Sequence, residues 1–148
     1  MKIAKAKEDG ARVHIQIALA HEACAAASER YIGLNVPRWR VLHYLSKVGT
    51  ATQKEICQRV ELDGWAVTRA VKPLEQHGLI QRNLDSEDNR LRRVVITDKG
   101  REWYAKAKVR RTSFLKHALH DLSQNELDVL EALLLRIESN IHNEDLTT

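Results

Sequence analysis

Apolar residues recur along this chain with two periods, and each change of period marks a change of element. Val13, Ile17, Ala20, Cys24, Ala27 and Tyr31 follow one another at spacings of 4, 3, 4, 3 and 4. That is a single seam on a long first helix, with Cys24 as a small buried hydrophobe on it. Asn35-Val36-Pro37 opens a second helix, proline suiting its first turn, which runs through Trp39, Leu42 and Leu45 towards Gly49. Thr52-Gln53-Lys54-Glu55 is a capping box for a third helix. From Gly64 to His77, a step of about 100° per residue puts Val67, Ala70, Val71 and Leu74 on an inward face. Asp63 is the candidate N-cap and Gly78 the stop. Leu79–Leu84 and Leu91–Ile96 then alternate as strands do, around the turn-forming run Asp85–Arg90. After Thr97 and Asp98 a long helix offers Trp103, Ala107, Phe114, Ala118 and Leu119. A second capping box, Ser123 to Glu126 with Leu122 and Leu127 as staple, opens a last helix striped by Leu127, Leu130, Leu134, Ile137 and Ile141. The expected class is mainly α with a small β-hairpin (α+β).

Helix, turn, helix, Gly stop, hairpin, helix is the order of a winged helix-turn-helix. The outward face of the Gly64–His77 helix carries Trp65, Thr68, Arg69, Lys72 and Gln76. Two cations, a hydroxyl, an amide and an indole are groups that reach base edges and phosphates in a major groove. Taken alone, the helix is equally readable as an ordinary amphipathic helix, and the hairpin as a surface hairpin with scattered charges. An arginine at the hairpin tip, Arg90, suits a narrow minor groove, with Asp88 placed to hold it by an ion pair. Arg92 follows as a further cation for DNA.

Four short motifs carry a family resemblance: Val67-Thr68-Arg69, Leu74-Glu75-x-x-Gly78-Leu79-Ile80-x-Arg82, Asp88-x-Arg90, and Ile96-Thr97-x-x-Gly100. Together, at these spacings, they resemble the MarR family of winged helix-turn-helix transcription regulators. The resemblance implies a homodimer that places the Thr68/Arg69 helix in the major groove and the arginine of Asp-x-Arg in the minor groove. It further implies a small-molecule effector held between the dimer helices and the winged head, for which His21, Trp39, Arg40 and His43 are the polar or aromatic candidates. An anionic aromatic effector would suit a cation beside an indole. One departure is Pro73, inside the reading helix, where the family usually carries a polar or charged residue. Proline removes a donor and crowds the carbonyl of Arg69, which leaves open a kink or a shortened helix after Lys72 and bears on Gln76 most. For Trp65, stacking on sugar, touching a thymine methyl and packing against the wing all remain open.

Composition changes this picture little. The chain has 148 residues, 43% hydrophobic and 30% charged, with net charge +4. Segment 99–117 has seven Lys/Arg against one Glu, and segment 121–148 seven Asp/Glu against one Arg. The stretch 63–99 nearly balances, seven against six, so placement and not bulk charge points to DNA. No apolar run approaches the roughly 18 residues of a membrane span, and Met1–Arg12 is too charged for a secretory signal. Two distant cysteines suit a reduced cytoplasm, the expected location.

The whole chain reads as one MarR-type domain over 1–148. Its winged DNA-binding part spans about 36–100, and its dimerisation helices about 8–32 and 101–142. The flanking helices exceed what a compact head needs, and a second copy is their natural partner. An enzyme is not expected: phosphate-loop, nucleotide-binding, nucleophile-elbow and zinc-protease motifs are missing. Neither a cofactor nor a metal is expected. A zinc-responsive alternative draws on Cys24, His43, His117 and His120, which match no ligand set position by position. A redox alternative draws on Cys24, which has no Lys or Arg at i±3 or i±4 to lower its pKa. The remaining alternative is a helical protein-interaction module with weak, sequence-blind DNA affinity.

Overall fold

The computed structural model describes residues 2–84 and 92–143, with side chains from residue 8. Its order is α1 (Lys2–Ala27), a π-turn (Ser28–Ile32), α2 (Val36–Val48), β1 (Thr50–Thr52), α3 (Gln53–Val60) and α4 (Gly64–Gln76). Then come β2 (Ile80–Leu84), β3 (Arg92–Ile96), α5 (Asp98–Ala118) and α6 (Gln124–Asn143). This is the six-helix winged fold that the periodicity predicts, with a three-stranded antiparallel sheet ordered β1-β3-β2. The chain divides into two compact units, Met1–Thr112 and Ser113–Thr148.

In the first unit the helix ends follow the capping chemistry. Asn35 caps α2 by accepting from Arg38 N, with proline in the first turn. Thr52 and Glu55 form the reciprocal capping box of α3. Asp63 caps α4 through Ala66 N at 2.7 Å. Inside, Leu42, Leu45, Ile56, Val67, Val71, Leu74, Ile80 and Val94 form the centre of the core, all below 2% exposure. The inward positions expected on α4, Val67, Ala70, Val71 and Leu74, are all buried. Strand β1 was not anticipated. It is three residues long, and its Ala51 pairs with Val94, 43 positions away, so its partner is invisible to local pattern.

One expectation needs correction. Cys24 is exposed, not buried, and Val13 and Tyr31 on the same seam are also about half exposed. Periodicity identifies an apolar face but not what covers it, and this chain alone does not cover α1. The seam is also interrupted: the last turn widens into the π-turn, where the Ser28 hydroxyl donates to Leu34 O at 2.7 Å and Gly33 takes φ +88°. Pro73 does not shorten the reading helix. Helix α4 runs on to Gln76, and the amide of His77 still closes on Pro73 O at 3.0 Å. The lost donor is confined to the carbonyl of Arg69.

In the second unit Ser123 and Glu126 make their capping box: Ser123 N donates to Glu126 Oε2 at 2.8 Å, and Glu126 N donates to Ser123 Oγ at 3.3 Å. Helix α6 carries Leu130, Leu133, Leu134, Ile137 and Ile141, yet none of its residues is buried. The rings of His117 and His120 stack at 6.0 Å, and His120 Nε2 lies 3.0 Å from Asp121. Among the described residues no three His, Cys, Asp or Glu side chains converge as a metal site, which gives the zinc alternative no geometric support. No described helix is long and apolar enough to cross a membrane.

Candidate nucleic-acid interface

Helices α3 and α4 meet through a three-residue turn in which Glu61 adopts φ +49°, the left-handed region. Leu62 N closes on Cys57 O at 3.3 Å, and Asp63 then starts α4. A residue not singled out from the sequence ties the pair together. Gln53 Nε2 donates to Thr68 Oγ1 at 2.6 Å and to Gly64 O at 3.3 Å. Thr68 Oγ1 in turn donates to Gly64 O at 2.8 Å. A hydroxyl has one proton to give. Thr68 therefore presents outward a methyl group and an acceptor, and its donor is already used. The only sequence signal for Gln53 is its place just after the Thr52 cap, which points it across the turn.

Trp65 is 68% exposed. The guanidinium of Arg69 lies 4.3 Å from its ring centre, in cation–π geometry. The pair borders a shallow cavity with Asn35, Pro37 and Arg38 at the start of α2. Of the three options for Trp65, packing against the described strands of the wing is thus not what the structure shows. A planar, delocalised cation stacked on an indole loses rotamer freedom before it meets DNA. Lys72 and Gln76 continue the exposed face one and two turns on.

The wing is fastened to the end of α4 by the residues of the motifs. Glu75 accepts from Arg82 Nε at 3.0 Å and also from its Nη2, joining α4 to β2. Arg82's hydrogen bonds hold the Glu75 carboxyl below its ordinary pKa, more than burial opposes. Gly78 takes φ +70°. Thr97 Oγ1 donates to Gly78 O at 2.7 Å and accepts from Gly100 N at 3.0 Å, while Thr97 N donates to Leu79 O at 3.1 Å. A Cβ on Gly100 would sit 2.0 Å from Leu79 O, so only glycine fits. Lys99 Nζ donates to His77 O at 2.8 Å. Two of the four motifs therefore fasten the head together. Arg92 is exposed at the far end of β3, opposite Leu84. Asp88 and Arg90 lie outside the described residues.

The effector candidates divide. Trp39, Arg40 and His43 border one cavity of about 470 Å³ between α2, α3 and α5. His21 is exposed on α1 and is not among its lining residues. Trp39 stacks on Tyr104 at 5.2 Å, and Arg111 lies 5.2 Å over the Trp39 ring. His43 Nδ1 and the Tyr104 hydroxyl are hydrogen-bonded at 2.6 Å. Burial, then Lys47, Arg111 and Lys108, push the His43 pKa below its ordinary value, which leaves the ring neutral near pH 7. Arg40 Nη2 is already paired with Glu61 at 3.3 Å. Sequence reading missed Lys47, Arg59, Lys108 and Arg111, which complete a cationic rim with no Asp or Glu in the lining. They lie on three separate helices, so no local pattern gathers them.

Comparison with known proteins agrees with this geometry. Residues 32–91 match the model of the MarR family. The chain is 34% identical over 115 residues to an uncharacterised HTH-type transcriptional regulator, YdgJ, of Bacillus subtilis strain 168, covering 78% of this chain and 70% of that one. A probable transcriptional regulator from Pseudomonas aeruginosa superposes with TM-score 0.75 at 27% identity, over 84% of this chain and 96% of that one. The Streptomyces coelicolor regulator PcaV, crystallised with its natural ligand, shares the fold with TM-score 0.75 at 23% identity, over 85% and 90% of the two chains. With the reading helix exposed and the wing fastened behind it, the chain belongs to the MarR family: it is a DNA-binding, winged helix-turn-helix transcription regulator and not an enzyme.

Proposed function

We propose that this protein is a homodimeric repressor, acting in the cytoplasm, that leaves its operator when a small anionic aromatic effector binds. The observation that carries the DNA half is the Trp65–Arg69 stack on an otherwise polar, exposed α4 face. Arg69 takes the guanine-reading role, Thr68 contributes its methyl and acceptor, and Lys72 and Gln76 reach phosphate or base edges further along. Arg90, Asp88 and Arg92 belong to the minor-groove side of this reading. Two heads are needed for a pseudo-palindromic site with half-sites roughly 34 Å apart. The apolar faces of α1 and α6, uncovered in one chain, support a second copy as their partner.

The effector half rests on the cavity beside Trp39 and His43. An anion there would meet Lys47, Arg59, Lys108 and Arg111 with no competing carboxylate in the lining, and an aromatic body would meet Trp39 and Tyr104. PcaV, with its bound natural ligand, offers a precedent in the same fold. Release of DNA needs a differential affinity of a few kcal/mol between the two head spacings.

The test is selection of source-genome fragments at about 150 mM salt, near the physiological screening regime. Enrichment of a two-fold symmetric site is the expected result. Weak binding to every fragment, disappearing as salt rises, would favour the interaction-module reading instead.

A further inference from the structure

Thr68 is exposed on α4, one turn after Gly64 and next to Arg69. Its hydroxyl proton goes back to Gly64 O at 2.8 Å, and Gln53 Nε2 donates to its Oγ1 at 2.6 Å. The orientation of the Gln53 amide is fixed by Gly64 O, which lies 3.3 Å away and only accepts, so the nitrogen faces it. A hydroxyl oxygen has two lone pairs. Gln53 takes one, and the other is all that Thr68 Oγ1 has for a partner. A DNA phosphate has no proton to offer it, but base edges do. In the major groove adenine N6 and cytosine N4 donate, whereas guanine O6 and thymine O4 accept. Gln53 also selects this arrangement. A helical threonine divides between two χ1 rotamers, one of which bonds the carbonyl a turn back. Gln53 meets the oxygen of that rotamer from the first turn of α3. In the other rotamer Oγ1 leaves both partners, and the hydroxyl is free to donate as well as accept.

We propose that Gln53 is a positioning residue for base recognition. By holding the Thr68 hydroxyl as an acceptor, it requires the base facing Thr68 to carry an exocyclic amino group, adenine or cytosine, on the strand nearest α4. This rests on the reading of DNA by α4 proposed above and adds to it the polarity of one contact and the residue on α3 that sets it.

The test is selection of duplexes from a random-sequence library by the full chain, by Thr68→Val and by Gln53→Leu. At one position of each half-site the wild type should prefer adenine or cytosine over guanine or thymine by roughly fivefold, the scale of one hydrogen bond. Thr68→Val replaces only the oxygen, and should flatten that position alone. Gln53→Leu should relax the same position, admitting guanine and thymine, with the other positions and the urea midpoint unchanged; a purely structural role would weaken all positions together. A second measurement needs no variant. In the selected site, adenine at that position is replaced by unsubstituted purine, or cytosine by unsubstituted pyrimidinone, which deletes the amino group. Wild type should lose about fivefold in affinity and Thr68→Val nothing. The proposal alone is overturned, with α4 still the reader, by guanine or thymine at the Thr68-dependent position. The same holds for an amino deletion that wild type tolerates, or for Thr68→Val or Gln53→Leu leaving every position as strict as before. If wild type enriches no site, the reading of DNA itself fails and the proposal falls with it.

Discussion

The head from Val36 to Gly100 and the helices α1 and α6 all carry Leu-, Ile- or Val-bearing faces, but they end in different places. In the head, those faces close on one another, and Leu42, Leu45, Ile56, Leu74 and Ile80 lose nearly all contact with water. On α6, Leu130, Leu134 and Ile141 stay between 43% and 58% exposed, and Val13 and Leu19 on α1 are similar. Burying such side chains stabilises by roughly 1.5–3 kcal/mol each. The head has realised that gain within one chain, whereas the two helices have not. The lesson is that the head closes its apolar faces within one chain and the flanking helices do not.

Breaking the head should have the largest effect. Gly100→Ala drives a methyl into Leu79 O and Ile96, and is expected to cost about 3 kcal/mol or more, read as a lower urea midpoint. Next come the uncovered faces, on which the proposed dimer rests. Leu130→Asp with Leu134→Asp should raise the dimer dissociation constant on the order of a hundredfold, about 2.8 kcal/mol, while leaving the head folded. Sedimentation at micromolar concentration would show a monomer, and an unchanged mass would put the subunit interface elsewhere. Arg69→Ala should lose about 1–3 kcal/mol of operator affinity and relax sequence preference, with the urea midpoint unmoved. The smallest effect is at the Glu75–Arg82 fastener, whose side chains are about one-third exposed. Glu75→Gln should cost about 0.2–1 kcal/mol at neutral pH. The folded Glu75 pKa lies below its ordinary 4.5. Its contribution is therefore complete above that ordinary value and vanishes as pH falls through the lower folded one. Melts of the two proteins should converge in acid.

The same contrast explains what the sequence makes legible. Helix caps, the inward face of α4 and the hairpin strands are local, and the rules of spacing predict them. Thr50–Thr52 is too short for a period, and its partner is distant. Cys24 shows the opposite limit, because the apolar seam is visible and the surface that covers it is not. In the site, Trp65 and Arg69 are four residues apart, so one helical turn predicts their meeting. Gln53 meeting Thr68, or Arg59 and Arg111 lining one cavity, needs the tertiary fold. Glu75, Thr97 and Gly100 are readable as a motif, yet their role as fasteners appears only when the atoms they hold are seen.

Those fasteners have a mechanical meaning. Three consecutive residues at the end of the reading helix, His77, Gly78 and Leu79, are gripped by Lys99, Thr97 and Gly100 at the root of α5. At Leu79 the grip is backbone on backbone: Thr97 N donates to its carbonyl, and Gly100 passes that carbonyl with no side chain between. Short contacts thus tie the root of α5 to the residues that end α4. Under the proposed reading of DNA by α4, that joint is where the pitch of the helix towards a groove would be set.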